Sequence, residues 1–383
     1  MSGKRVRVAV VRCSGYGIDG VRAATARGLE LLGGTSSFVE PGESILLKPN
    51  LLVGRSPERA VNTHPAVFRA VIEEFQRAGA SVTYGDSPGF GPPETAARRA
   101  RLATVARELG VPFADFSRGR DVAHPDGRLI KSFTLAAAAL DADGIVSLPK
   151  LKTHGLTRLT GAIKNQFGCI PGVRKPEFHA RLPNADLFSR MLVDLNMVLR
   201  PRLAVMDGIV AMEGNGPQGG SPRALDVLLF SRDLVAIDAV ACRLIGLDPG
   251  LVLPIQYGAE FGLGEATEID LVGDPIEEPI VPDFDANRSP RSTTGPPGRP
   301  SRLARRFVVP KPVIRASRCT KCGTCVSVCP VDPKAVRFAG DDRRDPPIHH
   351  YDDCIRCYCC QELCPENAIE VDVPLLGRLI HRR

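Results

Sequence analysis

Residues 319–330 read Cys319-Thr-Lys-Cys322-Gly-Thr-Cys325-Val-Ser-Val-Cys329-Pro330, and residues 354–365 repeat this spacing as Cys354-Ile-Arg-Cys357-Tyr-Cys-Cys360-Gln-Glu-Leu-Cys364-Pro365. In each stretch three cysteines recur at every third position, and a fourth follows immediately before a proline. Eight of the twelve cysteines of the chain occupy these repeated positions, and Cys359 is a ninth cysteine within the second stretch. Clustering of this kind indicates a metal site.

The spacing predicts two 4Fe–4S clusters, because it is the run in which the fourth cysteine ligates the other cluster. Three thiolates on one tight loop cap three irons, so the fourth corner must be ligated from elsewhere in the chain. The first cluster is predicted to use Cys319, Cys322, Cys325 and Cys364. The second is predicted to use Cys354, Cys357, Cys360 and Cys329. The proline after each fourth cysteine helps to end the local helical turn.

Two other uses of these cysteines fit the pattern less well. Zinc sites are built from pairs of cysteines and not from triplets at this spacing. Disulfides are typical of small secreted proteins, whereas thiolates that hold iron favour a reducing compartment. Cys359 lies between two predicted ligands. It is interpreted as a packed bystander, although it could also compete as a ligand.

Residues 315–372 resemble the bacterial ferredoxin family through these two cysteine runs. The resemblance implies a small, two-fold-symmetric fold of two short hairpins and two helical turns.

The rest of the chain predicts a larger α/β domain. The chain has 383 residues, 43% of them apolar, which is enough for one large domain and a small appended one. Strand and helix patterns alternate along residues 1–284, which indicates a large, mostly parallel-sheet domain. Residues 285–312, rich in Pro, Arg, Gly and Ser, are interpreted as a linker. Residues 313–383 then form the small ferredoxin-like α+β domain, with a short basic tail.

The local patterns set the predicted elements of the large domain. Strands are predicted at residues 5–11, 44–49, 81–84, 144–148, 202–206, 225–230 and 269–272. Helices are predicted at residues 18–32, 64–78, 94–109, 158–167, 185–199 and 235–245. Motif-rich segments follow several strands, and in open parallel sheets ligands bind at the carboxyl ends of strands. We therefore expect these segments to meet at one site.

The net charge of +7 does not indicate a nucleic-acid-binding surface. Residues 288–318 contain nine Lys and Arg residues and no acid, which leaves −2 for the remainder. The basicity thus belongs mainly to the linker, and the chain has no nucleic-acid motif. No segment has the length of a membrane span, and the N-terminus lacks a signal-peptide pattern. A cytoplasmic location is expected.

A group of cations follows the predicted strand 144–148. Lys150, Lys152, His154 and Lys164 lie within fifteen residues, beside Asn165. Cations in a strand-end loop suit a carboxylate or phosphate ligand. The alternative is a solvated basic loop.

Three acids are further candidates: Asp86, Asp207 and Glu213. Each could donate a proton, bind a metal, or only form a cap or turn.

The segment Gly15-Tyr16-Gly17-Ile18-Asp19-Gly20 matches the G-x-G-x-x-G fingerprint between a strand and a helix. Three residues separate the strand from the first glycine, and the next strand ends in Lys48-Pro49-Asn50, where a ribose-binding acid belongs. A loop without a dinucleotide is therefore the preferred interpretation.

Several motifs together resemble the prokaryotic family known as domain of unknown function 362, over about residues 5–247. The motifs are LKPN around Lys48, GDSPG with Asp86, LPKLKTH from Leu148, TGAIKNQFG with Lys164, DGIVAMEGNGP from Asp207, and AIDAVA with Asp238. Members of the family often carry a C-terminal ferredoxin module. The resemblance implies an architecture and a set of polar positions, without assigning a role to any of them.

The leading hypothesis is an iron–sulfur oxidoreductase that moves single electrons to or from a small anionic substrate or cofactor precursor. An external electron donor or acceptor protein is the expected partner. Lys150, Lys152 and Lys164 would hold the anion, with His154, Asp207 or Glu213 in proton transfer. The alternatives are a non-catalytic electron carrier, a protein that binds a partner or a metallocofactor, and a redox sensor.

Overall fold

A mixed α/β sheet forms the centre of the large domain in the computed structural model. The structure describes residues 5–182, 184–275, 278–289, 309–340 and 342–374. The strands of the large domain are β1 (Val6–Arg12), β2 (Ser44–Pro49), β3 (Ser81–Tyr84), β4 (Gly119–Ala123), β5 (Ser132–Ala136), β6 (Gly144–Leu148), β7 (Lys150–His154), β8 (Arg158–Thr160), β9 (Leu203–Glu213), β10 (Ser221–Ser231) and β11 (Ile269–Gly273).

Helices connect these strands along the chain. They are α1 (Ile18–Leu31), α2 (Pro65–Arg77), α3 (Pro93–Arg99), α4 (Leu102–Glu108), α5 (Ala137–Asp141), α6 (Ala162–Asn165), α7 (Lys175–Arg181), α8 (Ala185–Leu199), α9 (Leu234–Leu244) and α10 (Leu253–Glu260). Among the described residues, no helix combines the length and apolar character needed to cross a membrane.

Within the described residues, the main sheet runs β11-β1-β10-β9-β6-β2-β3, and the β7–β8 hairpin pairs with β9. β11 and β1, β9 and β6, β6 and β2, and β2 and β3 are parallel. β10 is antiparallel to both β1 and β9. The mostly parallel α/β domain predicted from the sequence is therefore confirmed.

The sheet is covered on both faces, which explains its continuous apolar strands. Along β2, Ile45 and Leu47 pack with residues of α1 and α2, whereas Leu46 packs with residues of α8 and α9. All three side chains are fully buried. Successive side chains point to opposite faces of a strand, so this segment must be apolar at every position.

Two helix predictions need correction. Residues 158–167 contain β8, the short helix α6 and a 3-10 turn, because β8 pairs with β7 through Lys152 and Thr160. Residues 94–109 form two helices, since Arg101 has a φ of 60° in the left-handed region and interrupts the helix. In contrast, α8 matches its predicted bounds.

The small domain contains two pairs of short strands and two helical turns. Its elements are β12 (Lys311–Ile314), α11 (Thr324–Ser327), β13 (Val336–Arg337), β14 (Ile348–His349), α12 (Cys359–Glu362) and β15 (Ile369–Asp372). β12 pairs with β15 and β13 with β14, both antiparallel. Each helical turn overlaps the end of one cysteine triplet.

The predicted linker is shorter at both ends than residues 285–312. Arg158 donates hydrogen bonds to the carbonyl oxygens of Asn287 and Ser289 at 3.0 and 2.6 Å, so residues 285–289 pack on the large domain. Lys311 and Pro312 already belong to β12. Residues 290–308 of the predicted linker lie outside the described residues.

Candidate functional site

The eight predicted cluster ligands surround two separate small cavities in the small domain. Cys319, Cys322, Cys325 and Cys364 line the first. Cys329, Cys354, Cys357 and Cys360 line the second. In each set the fourth thiol comes from the other cysteine run, which is the arrangement that two 4Fe–4S clusters need. The residues present therefore fit such clusters.

Each set of four thiols surrounds a space and does not converge on a position for one metal ion. In the part of the chain that the structure describes, no three His, Cys, Asp or Glu side chains converge on a position for a single metal ion. Cys359 does not line either small cavity. It instead lines a larger cavity between the two domains.

A buried ion pair lies beneath this interdomain cavity. The Lys48 Nζ atom donates to Asp86 Oδ1 at 2.8 Å and to Asn165 Oδ1 at 3.2 Å. The second Asp86 oxygen accepts from the backbone amide of Leu51 at 2.8 Å. Asp86 is thus fully engaged in positioning the ends of β2 and β3, and its motif turn has a structural role.

Gly168 makes this arrangement possible. A Cβ atom at this position would lie 1.8 Å from Asp86 Oδ1 and 2.6 Å from Lys48 Nζ. The backbone carbonyl of Gly168 also accepts a hydrogen bond from the Ser87 amide at 3.0 Å. The last residue of the TGAIKNQFG motif must therefore lack a side chain.

Lys152 is the most deeply buried cation of the cavity wall. Its Nζ atom donates to Asn50 Oδ1 at 2.8 Å and to the Val61 carbonyl at 2.6 Å, and both acceptors are neutral. Burial, together with the nearby charge of Lys164, holds the pKa of Lys152 well below its usual range. A negatively charged ligand would favour the protonated form of this lysine.

Lys164 and Asn165 reach the cavity from α6. The backbone amides of Ala162 and Ile163 donate to the Asp238 carboxylate at 2.6 and 3.1 Å, which caps this four-residue helix. Asp238 comes from α9 and is buried, so the AIDAVA motif anchors the TGAIKNQFG motif. Burial raises the pKa of Asp238 to about 7, although the two amides favour its ionised form.

The small domain contributes the acid that faces these cations. Glu362, at the end of α12, lies 3.7 Å from Lys164 Nζ and 3.5 Å from His154 Nε2. Burial disfavours its charged form, but Lys164 and His154 outweigh this effect and hold the pKa of Glu362 well below its usual range. The sequence has no local signal for this role, because Glu362 lies inside a cysteine run.

His154 faces Glu362 and lines a second cavity, separate from the one that Lys152 and Lys164 line. Its Nδ1 atom accepts from the backbone amides of Leu156 and Thr157 at 3.0 and 3.3 Å. The proton of the neutral ring is therefore on Nε2, facing Glu362. Burial and the charge of Lys164 lower the pKa of His154 to about 4, so the ring is neutral at pH 7.

Lys150 and Asp207 lie outside the cavity, which corrects the prediction that they share the anion site. Lys150 Nζ donates to Asp207 Oδ2 at 2.8 Å and to the Tyr16 hydroxyl at 2.7 Å. The Tyr16 hydroxyl in turn donates to Asp207 Oδ1 at 2.9 Å. A register shift between Lys150 and Lys152 in the β7–β9 pairing separates the two lysines.

Glu213 is also outside the cavity, at the far end of β9. It accepts from the Asp285 amide at 3.0 Å and lies 3.8 Å from Arg223 Nη1. Its contacts hold the segment after β11 against the sheet, which is a structural role.

The glycine-rich segment positions Tyr16 beside the Lys150–Asp207 pair. Cβ atoms added at Gly17 or Gly20 would meet nothing within 4 Å. The dinucleotide fingerprint uses its third glycine for close packing of helix and strand. This segment does not provide that packing.

The interdomain cavity has a volume of about 440 Å³. Its polar lining includes Asn50, Lys152, Lys164, Asn165, Lys175, His179 and Glu362. Its apolar lining includes Leu52, Phe90, Phe116, Phe167, Pro171, Val328 and Leu363. A volume of this size is typical of small-molecule sites.

Lys175 and His179, both on α7, also line this cavity, although neither belongs to the motifs that predict the anion site. Lys175 Nζ donates to the backbone carbonyl oxygens of Ser87 and Pro88, the latter at 3.4 Å. His179 stacks on Phe188 with ring centroids 4.7 Å apart. Burial lowers the pKa of Lys175 to about 8 and that of His179 to about 4.

Hydrogen bonds dock the second cysteine run against the large domain. Arg55 Nη2 donates to the Pro365 carbonyl at 2.7 Å, and Gln361 Nε2 donates to Asn215 Oδ1 at 2.8 Å. Gln218 donates to the Cys364 carbonyl. Tyr358 is buried within the main core of the large domain. The cavity therefore lies beside the turn that carries ligands of the second predicted cluster.

Comparisons with known families identify two matching regions. A family model described as "Domain of unknown function (DUF362)" matches residues 45–243. A model described as "4Fe-4S dicluster domain" matches residues 311–365. The second match supports the binding of iron–sulfur clusters and electron transfer.

Among curated proteins, the chain is similar to "Thylakoid-associated protein sll1697" of Synechocystis sp. (strain ATCC 27184 / PCC 6803 / Kazusa). The two are 37% identical over 257 residues, which cover 67% of this chain and 79% of that protein.

Two solved structures show a distant likeness. The lactate racemase apoprotein from Thermoanaerobacterium thermosaccharolyticum gives a TM-score of 0.41 at 12% identity, over 63% of this chain and 56% of that one. A Thermotoga maritima protein gives a TM-score of 0.36 at 12% identity, over 57% of this chain and 56% of that one. The chain thus spans little more than half of each, and neither likeness bears on function.

Proposed function

Because the chain belongs to the DUF362 family and ends in a 4Fe–4S dicluster domain, we propose that it is an iron–sulfur oxidoreductase with its substrate site between the two domains. The substrate is a small organic anion. The observation that carries this proposal is the shared cavity, which Lys152 and Lys164 line from one side and Cys359 and Glu362 from the other. A ligand there lies next to the turn that holds Cys357 and Cys360.

The chain's own residues bind and orient the anion. Lys152 and Lys164 provide the ammonium groups, and Asn50 and Asn165 are held in place by hydrogen bonds to Lys152 and Lys48. Charge-assisted hydrogen bonds of this kind are short and strong. When bound, the two clusters supply single-electron transfer over a potential range that the protein sets.

Apolar residues give the site its shape and limit its water content. Phe116 and Phe167 are almost entirely buried, and Leu363 closes the cavity from the small domain. A water-poor site strengthens each interaction between the lysines and an anion. His154 contributes by holding Glu362 beside Lys164.

Reoxidation of the reduced protein tests the proposal. Anaerobic protein, reduced and freed of excess reductant, is mixed with a panel of small carboxylates and phosphate esters, and the return of visible absorbance is followed. The oxidised protein is mixed with the same panel to test the reverse direction. We expect one member to exchange electrons with the protein at a rate that saturates with its concentration.

Variants connect this activity with the cavity. Lys152→Met should lower the rate at limiting substrate by about 10–100-fold, the loss of one charged hydrogen bond. Lys131→Met is the control, since Lys131 is exposed and its ammonium group donates to the Pro125 carbonyl, away from the cavity. If electrons pass to redox proteins but to no panel member, the protein is an electron carrier and the proposal fails.

A further inference from the structure

The interdomain cavity contains more ammonium groups than its carboxylates neutralise. Asp86 is paired with Lys48 at 2.8 Å, and Glu362 is paired with Lys164 at 3.7 Å. Lys152 and Lys175 bond only neutral oxygens, and in the described residues neither has a carboxylate within ion-pair distance. Two cationic positions therefore remain without a counter-charge.

Both of these lysines are buried, so their lack of a counter-charge is costly. Lys152 is fully buried, and Lys175 is 8% exposed. An unpaired buried ammonium group either loses its proton or destabilises the folded protein. Burial accordingly lowers the pKa of both groups. A site that only needed to be stable would place neutral residues here.

Building on the proposed function, we infer that the cavity takes a small organic dianion whose two negative charges are bound by Lys152 and Lys175. Such a ligand neutralises both lysines, whereas a monoanion leaves one of them unpaired in a site with little water.

The remaining lining requires a ligand with an apolar part. Phe90, Phe116, Phe167, Pro171 and Leu363 border the same cavity. Lys175 Nζ lies 5.8 Å from the centroid of the Phe167 ring, so one cationic position adjoins an aromatic wall. Inorganic phosphate alone would leave this wall in contact with water. A dicarboxylate and a phosphate monoester with an apolar body both satisfy the chemistry.

Binding of three defined probes to the oxidised, cluster-containing protein tests the inference. Benzoate carries one negative charge, terephthalate carries one at each end, and phenyl phosphate carries close to two at one end at pH 7. We expect at least one of the two dianions to bind about 10-fold or more tightly than benzoate by calorimetry. Preference for terephthalate assigns the charges to two carboxylates, and preference for phenyl phosphate assigns them to one phosphoryl group.

Proton uptake provides an independent measurement on the unmodified protein. Burial holds the pKa of Lys152 well below its usual range and an adjacent anion favours its protonated form, so binding of a dianion should be accompanied by net proton uptake. Calorimetry in buffers of different ionisation enthalpy measures this uptake. Lys152→Met should abolish the uptake and reduce the affinity for the dianion to that for benzoate, while Lys131→Met should change neither.

Several results would overturn the inference. The first is that benzoate and both dianions bind with equal affinity, and the second is that neither dianion binds. The third is that Lys152→Met loses the same affinity for all three probes. Methionine replaces a buried charge by an apolar chain of similar length, which folded proteins often tolerate. Because no electron is transferred in this assay, its outcome is separate from the reoxidation test. A dianion preference without electron exchange would retain the inference and reject the oxidoreductase.

Discussion

At the scale of single residues, the absence of a side chain at Gly168 shapes the floor of the cavity. The Lys48–Asp86 pair occupies the space into which a Cβ atom would project. Both members are buried, and each satisfies the other's charge. Separation of such a pair leaves an uncompensated charge inside the protein, which is strongly destabilising.

Gly168→Ala should therefore lower the free energy of unfolding by about 1–3 kcal/mol, the usual cost of forcing extra atoms into a packed interior. Denaturant unfolding of the cluster-containing protein measures the change. Gly20→Ala is the control, because Gly20 lies in helix α1 and a Cβ atom there would meet nothing within 4 Å. It should raise stability by about 0.5–1 kcal/mol. If Gly168→Ala and Gly20→Ala changed the free energy of unfolding by the same amount, the packing described for Gly168 would be contradicted.

A second prediction at this scale concerns pH. Lys175 has a pKa of about 8, so its positive charge is present below that pH and lost above it. The affinity for a dianionic probe should fall as the pH rises through 8. In Lys175→Met the affinity is expected to be lower at pH 7 and to fall less steeply between pH 7 and pH 9, because only the proton uptake at Lys152 still depends on pH. Calorimetric titrations measure the affinity across this pH range. If the affinity of the wild-type protein and that of Lys175→Met fell in parallel with pH, Lys175 would not be the group responsible.

At the scale of elements, the four-residue helix α6 determines where Lys164 and Asn165 lie. So short a helix is not stable by itself, since nucleation is costly. Its first amides are held by Asp238 on α9, and Gly161 leaves the room for that carboxylate. The position of the cavity lysine thus depends on a contact between two helices distant in sequence.

Asp238→Ala should lower the free energy of unfolding by about 2 kcal/mol and reduce anion affinity, because two buried amides lose their acceptor and α6 loses its anchor. Asp233→Ala is the matched control. Asp233 caps α9 by accepting from the amides of Val235 and Ala236. This control should cost similar stability and leave anion affinity unchanged. Comparable affinity losses in both variants would indicate a general loss of structure.

The elements differ in how far the sequence predicts them. Helix α8 matches residues 185–199 because fifteen residues show a full apolar periodicity and Asn184 supplies a cap. Helix α6 is too short for any periodicity, and β8 before it lies in the segment 158–167 whose pattern predicts a helix. Lys150 and Lys152 both follow the strand at residues 144–148, but only Lys152 reaches the cavity, because the pairing of β7 with β9 has a register shift between them.

The candidate site was predictable only in part, for a related reason. Lys152 and Lys164 stand in recognisable motifs after a strand and line the cavity. Lys175 and Glu362 lie in segments whose patterns indicate other roles, and only tertiary contacts bring them to the same place. Local patterns carry no information on such contacts.

At the scale of the whole molecule, the two cysteine runs depend on each other. Anaerobically purified protein should contain about eight irons and eight sulfides per chain, with the paramagnetic signals of reduced 4Fe–4S clusters. Cys360→Ala should lower the iron content towards half, whereas Cys359→Ala should leave it unchanged, since Cys359 lines the interdomain cavity instead. Zinc in place of iron, or iron loss in Cys359→Ala, would refute the ligand assignment.

The contact between the domains makes a prediction about proteolysis. The predicted linker should be the preferred site of limited proteolysis, because its sequence, rich in Pro, Arg, Gly and Ser, has no apolar periodicity to bury. The two fragments should still co-elute in size-exclusion chromatography, since Arg55 and Gln361 bond across the interface. Adding Arg55→Ala and Gln361→Ala should separate them. Immediate release of the small fragment from the unmodified protein would contradict the docking.

The origin of Glu362 and Leu363 in the small domain also governs how the protein matures. These residues close the cavity, and they belong to a turn that is bracketed by cluster ligands. In a chain without metal, contacts such as the hydrogen bond from Gln361 to Asn215 still dock this turn, but the thiolates that bracket it are no longer joined through iron. We therefore expect iron insertion to complete the wall of the cavity, and a chain without iron to bind the proposed anion less tightly.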